Sequence, residues 1–176
     1  MIKKDYFLIE PIDEEVVTFA DDFYFKLTDT QVKAKLDALR KRQEYVYRGI
    51  MHYGTNVRPE CREFIYRIGL MIDYCYNKFY FPIPIITHKR FIDLAKLMEE
   101  ESREYKKVNP NDDTYDTNKE LDDLNQEHLV DAIAEKLGYY EHALECISQK
   151  ENEEVGYFMI TFITLYSDEV LIRKSK

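Results

Sequence analysis

The chain has 176 residues, a size that suits one domain built around a single hydrophobic core. Its net charge of −9 argues against general affinity for nucleic acid, because binding to phosphates requires a cationic surface. Five glycines and five prolines are few for this length, which favours helices over a turn-rich β architecture.

Cysteine usage and apolar runs predict a cytoplasmic location. The cysteines Cys61, Cys75 and Cys146 are odd in number and form no CxxC pair, so we expect a reducing compartment rather than a disulfide framework. The first residues lack the unbroken apolar core of a signal peptide. The longest apolar run, from Val155 to Tyr166, is shorter than the ~20 residues that span a bilayer, so no membrane contact is expected.

The N-terminal part is predicted to be an arm followed by a helix. Residues 1–12 contain a short apolar run before Pro11, which is typical of a strand or an extended arm. A first helix is expected from about Asp13. Its predicted buried side chains recur at helical spacing and are Val16, Ala20, Phe23 and Leu27.

A second helix is predicted from a capping box to Gly54. Thr28 and Gln31 have the spacing at which each side chain accepts a hydrogen bond from the other residue's amide. Gly54 is a natural C-terminal stop. The apolar stripe of this helix is interrupted only by Gln43. It consists of Val32, Leu36, Leu39, Val46, Ile50 and Tyr53.

The third predicted helix is rich in aromatic residues. Pro59 suits its first turn, and the two prolines after Phe81 end it. Seven of the fifteen tyrosines lie between Tyr45 and Phe81, more aromatic surface than one core contact can cover. A core stripe is expected through Cys61, Phe64, Ile65, Ile68, Ile72, Cys75 and Phe79. A second face carries Tyr66, Leu70, Tyr76 and Tyr80, which we predict as a protein interface, with ordinary core packing as the alternative for each.

The C-terminal half is predicted to contain further helices. Thr87 caps a fourth helix, residues 108–118 form an acidic loop, and a capping box of Thr117 and Glu120 opens a fifth helix. Residues 155–172 are rich in β-branched and aromatic side chains, which favours strand. Polar residues nevertheless recur there at helical spacing, so we favour a buried helix, with a terminal β-hairpin as the alternative.

Together these elements predict the fold class. We expect a mainly α structure, a bundle of five or six helices with a short N-terminal strand or arm. No internal repeat or long linker divides the chain, so residues 1–176 are expected to form a single helical domain.

No catalytic, cofactor or metal site is predicted. The glycines never cluster, which argues against a phosphate-cradling loop. Cys61 and Cys75 fall on the core stripe, and His142 and Cys146 share a helix face without the two further ligands that structural zinc requires. The acidic loop matches an EF-hand frame poorly, because Thr114 stands where glycine is required.

Charge is distributed unevenly along the chain. Between Lys26 and Arg67 there are ten basic and five acidic residues, and between Glu99 and Glu154 there are eighteen acidic and six basic residues. The two blocks either neutralise each other within one fold or form complementary surfaces on neighbouring copies in a head-to-tail contact. A third reading makes the acidic helix a mimic of nucleic-acid phosphates. The electrostatic interface candidates are Arg40, Lys41 and Arg42.

Three short motifs carry a family resemblance. They are Pro59-Glu-Cys61 at the start of the aromatic helix, Asn77-Lys-Phe-Tyr80 near its end with Pro82 following, and Glu99-Glu-Glu-Ser-Arg-Glu-Tyr105. On these motifs, residues 58–105 resemble the head–tail adaptor (connector) proteins of short-tailed bacteriophages. The resemblance implies a mostly helical virion protein that assembles as a ring under the portal and has no catalytic activity.

The expected function is therefore that of a non-enzymatic structural or adaptor protein. It would act through protein–protein contacts as a homo-oligomer within a larger assembly, located in the cytoplasm or, if phage-encoded, in the virion. One alternative is a small acidic inhibitor or immunity-type protein with exposed carboxylates around Asp112 to Glu135. Another is an enzyme with a dispersed site. Neither a cofactor nor sequence-specific binding to nucleic acid is expected.

Overall fold

Seven α-helices and one short 3-10 turn form the described part of the chain. The structure is a computed structural model and describes residues 6–108, 123–144 and 148–175, with no strand in those ranges. The helices are α1 (Glu14–Phe25), α2 (Asp29–Arg42), α3 (Glu44–Thr55), α4 (Pro59–Phe79), α5 (His88–Val108), α6 (Glu127–Leu144) and α7 (Gln149–Lys174). The mainly α prediction is confirmed, with seven helices in these ranges where five or six were expected.

The predicted acidic loop falls almost entirely outside the described residues. Val108 is the last residue of α5 rather than the first of a loop. The remainder of the loop, its EF-hand frame and the capping box of Thr117 and Glu120 lie outside the described residues, as does Cys146.

The C-terminal segment is one long helix, so the β-hairpin alternative is wrong. Ser148 and Glu151 form a capping box, in which Ser148 Oγ accepts from the Glu151 amide at 3.3 Å and the Glu151 carboxylate accepts from the Ser148 amide at 2.9 Å. This cap satisfies orphan amides at the start of α7 and fixes where it begins. The buried residues of α7 lie all round the helix and include Val155, Phe158, Phe162 and Tyr166, which is why strict strand alternation was absent.

Of the two alternatives for residues 1–12, a strand or an extended arm, the strand is not found in the described residues 6–12. Residues 6–8 form a 3-10 turn, in which the Ile9 amide donates to the Tyr6 carbonyl at 2.9 Å. The turn is held against α7, because Tyr6 Oη donates to Asp168 Oδ1 at 2.7 Å. A buried side-chain contact, rather than backbone pairing with another strand, therefore fixes this segment.

Gln43 separates α2 from α3, where one continuous helix was expected. Its backbone lies at φ −137° and ψ 67°, outside the helical region. The buried side-chain amide donates to the carbonyls of Pro84 and Ile83 at 2.8 and 3.3 Å, and accepts from the Ile86 amide at 2.9 Å. The one polar interruption of the stripe thus satisfies the backbone of the segment between α4 and α5.

The aromatic helix α4 is the centre of the fold and packs against α1, α2, α3 and α7. Its predicted core stripe is buried from Cys61 to Cys75, whereas Phe79 is half-buried. Helix α4 packs tightly on α3 at Gly69, where an added Cβ would lie 2.5 Å from Ile50 Cδ1. Glycine is therefore required there for α3 and α4 to pack at their observed separation.

The buried face of α1 differs from the predicted one. Val17, Ala20 and Tyr24 are buried, while Phe23 is 37% exposed. Helix α1 carries apolar residues on more than one face, and it packs on α4 and α6 along only one of them. Tyr24 occupies the core position because its ring meets Tyr74 edge-on at 5.9 Å.

One helical stretch, Lys150–Lys174, is long and apolar enough to cross a membrane by length and composition alone. Within the protein, 72% of its most apolar window is buried. Core helices of soluble proteins pass the same test, so this is weak grounds for a membrane span.

Candidate protein-contact surface

The outer side of α1 exposes two stacked phenylalanines. Phe19 is 54% exposed and Phe23 is 37% exposed, and their rings lie 5.9 Å apart at an interplanar angle of 9°. Phe19 also contacts Tyr74 of α4, with ring centroids 5.7 Å apart. We refer to Phe19 and Phe23 as the α1 aromatic face. Exposed aromatic surface of this kind marks contact sites more often than isolated apolar residues do.

A groove of about 730 Å³ lies along the α1 aromatic face. Its charged lining is mostly acidic, since Glu14, Glu15 and Asp22 contribute to it and Lys26 is its single described cation. Lys26 is itself paired with Asp22 at 3.1 Å. Glu14 and Glu15 lie in the first turn of α1, where negative charge also favours the helix dipole. The groove is therefore lined by apolar side chains together with three carboxylates, and we refer to Glu14, Glu15 and Asp22 as its acidic rim.

A second groove, of about 430 Å³, lies between α2, α3 and α4. Tyr47, Met51 and Tyr66 line it, and Tyr66 lies against Gly54, where an added Cβ would be 2.7 Å from the ring. The guanidinium of Arg40 lies 5.7 Å from the centre of the Tyr47 ring. Of the predicted interface residues, Tyr66 therefore lines this groove, and Arg40 contacts Tyr47, another of its lining residues.

The other members of the predicted second face point elsewhere. Leu70 and Tyr76 are buried within the chain. Tyr76 Oη lies 2.7 Å from Ser167 Oγ, and burial raises the pKa of Tyr76 well above its usual value. Tyr80 donates to the Glu10 carbonyl at 2.6 Å and accepts from Gln126 at 2.7 Å. The four residues therefore do not form one exposed face, because α7 and the N-terminal segment cover part of it.

The basic residues at the end of α2 divide in the same way. Arg40 and Lys41 are exposed, whereas Arg42 forms an ion pair with the buried carboxylate of Asp73. Burial lowers the pKa of Arg42, but the hydrogen bond and charge of Asp73 outweigh that effect and raise it. Asp73 also accepts from Tyr166 Oη at 2.6 Å. Arg42 thus neutralises an internal carboxylate, while Arg40 and Lys41 project into solvent.

Neither a metal-binding cluster nor an exposed thiol occurs among the described residues. No cluster of three or more His, Cys, Asp or Glu side chains that could hold a metal occurs among them. Cys61 and Cys75 are buried, and burial raises the pKa of the Cys75 thiol to about 12, which keeps it protonated at neutral pH.

Comparisons with known proteins give no indication of function, so the surfaces described above are the basis for a proposal. No family model, curated protein or solved structure matches the chain. The resemblance of residues 58–105 to head–tail adaptors therefore stays a prediction. The sequence reasoning also missed the exposure of Phe19. The available signal was the spacing of Phe19 and Phe23, which are four residues apart on a helix face distinct from that of Val17 and Tyr24.

Proposed function

We propose that this chain is a non-enzymatic structural or adaptor protein that associates with copies of itself through the α1 aromatic face. The observation that carries the proposal is the stacked, exposed pair of Phe19 and Phe23 beside a groove of about 730 Å³. Covering these rings would remove aromatic surface from water and match the composition of protein interfaces.

Charge favours a second copy as the occupant of this groove. The rim contributes Glu14, Glu15 and Asp22, and the same chain exposes Arg40 and Lys41 at the end of α2. Because the acidic and basic surfaces are different patches, the contact would be head-to-tail and could close into a ring. This geometry supports the finer proposal of a ring-forming head–tail adaptor, which also rests on the resemblance of residues 58–105.

The proposal is tested by measuring mass in solution. We expect the wild-type chain to form an oligomer in size-exclusion chromatography with light scattering, and the double variant Phe19→Ser/Phe23→Ser to be monomeric. Tyr139→Ser is the matched control, since Tyr139 is a 67% exposed aromatic side chain on α6. Circular dichroism confirms that each variant is folded. A monomeric wild type at high concentration, or a folded double variant of unchanged mass, would contradict the proposal.

A charge exchange tests the identity of the partner. Arg40→Glu/Lys41→Glu should dissociate the oligomer, and so should Glu14→Lys/Glu15→Lys. Combining all four substitutions in one chain should restore the mass if acidic and basic patches of neighbouring copies meet. If the combined chain remains a monomer, the head-to-tail arrangement is wrong even when the aromatic face is a contact.

A second candidate function rests on a row of carboxylates along α6. Glu127, Asp131 and Glu135 are all exposed and follow one another at intervals of four residues, so they lie on one side of the helix. Such a row suits an acidic inhibitor that occupies the cationic site of a single partner. This function predicts a monomer whose Glu127→Gln/Asp131→Asn/Glu135→Gln variant keeps its fold and loses binding to a basic protein ligand.

A further inference from the structure

A separate cavity of about 500 Å³ lies between α3 and α5, with Thr161 of α7 contributing to its wall. Its volume is within the range of roughly 300–1,000 Å³ that small-molecule sites occupy. The surface is predominantly apolar and aromatic, with Tyr45, Tyr53, Phe91 and Met98 among the lining residues. We refer to it as the α3–α5 cavity.

The charge of the α3–α5 cavity differs from that of the other two grooves. Its charged or titratable lining includes Arg48, His52 and His88, and no aspartate or glutamate is among its described lining residues. The groove along α1 and the groove between α2, α3 and α4 each have three acidic residues in their linings. In a chain of net charge −9, a cavity whose described lining is basic and neutral favours an anion over a cation.

One wall of the cavity is built for a planar ring. Tyr45 of α3 stacks on His88 at the start of α5, with ring centroids 5.3 Å apart and an interplanar angle of 25°. The Arg48 guanidinium lies 5.7 Å from the centre of the Tyr45 ring. Stacked aromatic and guanidinium planes of this kind accept a further aromatic ring.

Arg48 is available to a ligand. Its Nη2 is 2.6 Å from Glu44 Oε1, in a pair of residues four apart on the same helix. Both side chains are at least half exposed, so solvent screens the pair and its contribution to stability is small. Exchanging Glu44 for a ligand carboxylate inside the cavity would therefore lose little and add a charge-assisted hydrogen bond.

Gly49, which lines the cavity, allows two aromatic rings to pack closely against α3. A Cβ at this position would lie 2.9 Å from the Phe162 ring and 3.0 Å from the Phe91 ring. Those two rings meet edge-on, with centroids 5.8 Å apart. Beside them, Tyr53 Oη lies 3.0 Å from Thr161 Oγ1 and provides a polar group in an otherwise apolar wall.

We infer that the α3–α5 cavity binds a small aromatic carboxylate. The ring of the ligand lies against Tyr45 and Phe91, and its carboxylate accepts hydrogen bonds from Arg48 and from the imidazole of His52 or His88. This binding site does not depend on the proposed self-association, because it uses neither the α1 aromatic face nor Arg40 and Lys41.

Isothermal titration of the full chain with naphthoate tests the inference. We expect saturable one-to-one binding of naphthoate, and none of naphthalenemethylamine, which has a similar ring and the opposite charge. Arg48→Gln should weaken binding about tenfold, the effect of losing one charge-assisted hydrogen bond. Arg40→Gln is the matched control, since Arg40 also lies over a tyrosine ring but outside the cavity, and it should bind as the wild type does.

A cavity-filling variant locates the site. Ala95 lines the cavity and is exposed, so Ala95→Trp can occupy the space without disturbing the core, and it should abolish binding while circular dichroism remains unchanged. Absence of naphthoate binding at low millimolar concentration would overturn the inference. Equal binding of naphthoate and naphthalenemethylamine, or unchanged binding by a folded Ala95→Trp variant, would overturn it equally.

Discussion

The carboxylate of Glu151 joins the start of α7 to the start of α4, and Glu151→Gln isolates the contribution of its charge. The side chain is 7% exposed and accepts from Arg58 Nε at 2.9 Å, Arg58 Nη2 at 2.6 Å and the Arg58 amide at 3.0 Å. It also accepts from Ser148 in the capping box. Glutamine can still complete a capping box, so this substitution removes the charge with little loss of the cap.

The magnitude follows from the pKa of Glu151. Burial alone would raise this pKa, but the hydrogen bonds from Arg58 and Ser148 outweigh it and lower the value to about 2, from 4.5. In full, that difference corresponds to about 3 kcal/mol of stability. Arg58 is 51% exposed, so solvent screening reduces the expected effect to about 1–2 kcal/mol.

The sign of the pH dependence is fixed by the lowered pKa. The stabilisation is fully present above the unfolded-state value of 4.5 and is lost as the pH falls toward the folded-state value of about 2. We therefore expect Glu151→Gln to be less stable than the wild type by about 1–2 kcal/mol at neutral pH, and the difference to shrink by more than half near pH 3.

Urea unfolding followed by far-UV circular dichroism measures both quantities, at neutral pH and in steps down to about pH 3. Glu44→Gln is the matched control, since Glu44 also pairs with an arginine but at an exposed site, and its cost should stay below about 0.5 kcal/mol at every pH. A Glu151→Gln chain as stable as the wild type at neutral pH would refute the reasoning. So would a difference that does not change with pH.

Three further substitutions test the interior. Gln43→Leu should lower the free energy of unfolding in urea by about 2–3 kcal/mol and speed hydrogen exchange of the Ile86 amide, because it leaves buried backbone groups unpaired. A variant as stable as the wild type would contradict this. Gly69→Ala should lower the free energy of unfolding by about 1–3 kcal/mol. Adding Ile50→Val should recover part of this loss, because valine lacks the Cδ1 that the added Cβ would meet. If the effects of the two substitutions simply add, the proposed contact is disproved. Tyr76→Phe should cost about 1–2 kcal/mol through its lost serine contact and leave the mass in solution unchanged, whereas a changed mass would place Tyr76 at a contact between copies.

Features set by neighbouring residues were predicted correctly from the sequence. Thr28 and Gln31 form both hydrogen bonds of the expected capping box, and Pro59 is the first residue of α4. The core stripe of α4 from Cys61 to Cys75 is buried as its helical spacing indicated. Each of these depends on contacts within a few residues along the chain or on a period that is visible in one segment.

Features set by distant partners could not be predicted in this way. Nothing near Gln43 shows that its amide will bind the backbone of residues 83–86, about forty positions away, and so break the helix. The capping box of Ser148 and Glu151 is a local feature, but the β-branched and aromatic residues that follow it have a strand propensity that favours the wrong structure. The segment is a helix despite its strand propensity, because α7 packs on α3, α4 and α5 at once and is buried on several sides.

The candidate contact surface lies on α1 and not on α4, where it was predicted, and the reason is a related one. The surplus of aromatic residues on α4 indicated two-sided packing, and Tyr76 shows that one side is used inside the chain by α7. The exposed pair of stacked aromatic side chains lies instead on α1, which carries apolar residues beyond those that α4 and α6 cover. The sequence of one segment shows that its aromatic surface exceeds what one core contact can cover. It does not show which helix keeps exposed aromatic residues in the folded chain.

The exposure of the α1 aromatic face also limits how tightly copies can associate. Full burial of a phenylalanine contributes roughly 1.5–3 kcal/mol, and Phe19 and Phe23 are each about half buried already, so covering both adds only about 1.5–3 kcal/mol in total. Stable interfaces bury about 800 Å² on each partner, far more than two rings supply, and association must also offset the loss of rotational and translational freedom. The acidic rim and the exposed Arg40 and Lys41 must therefore contribute a substantial share of the free energy of association. Self-association through this face should weaken steeply as salt is raised, whereas a purely apolar contact would strengthen.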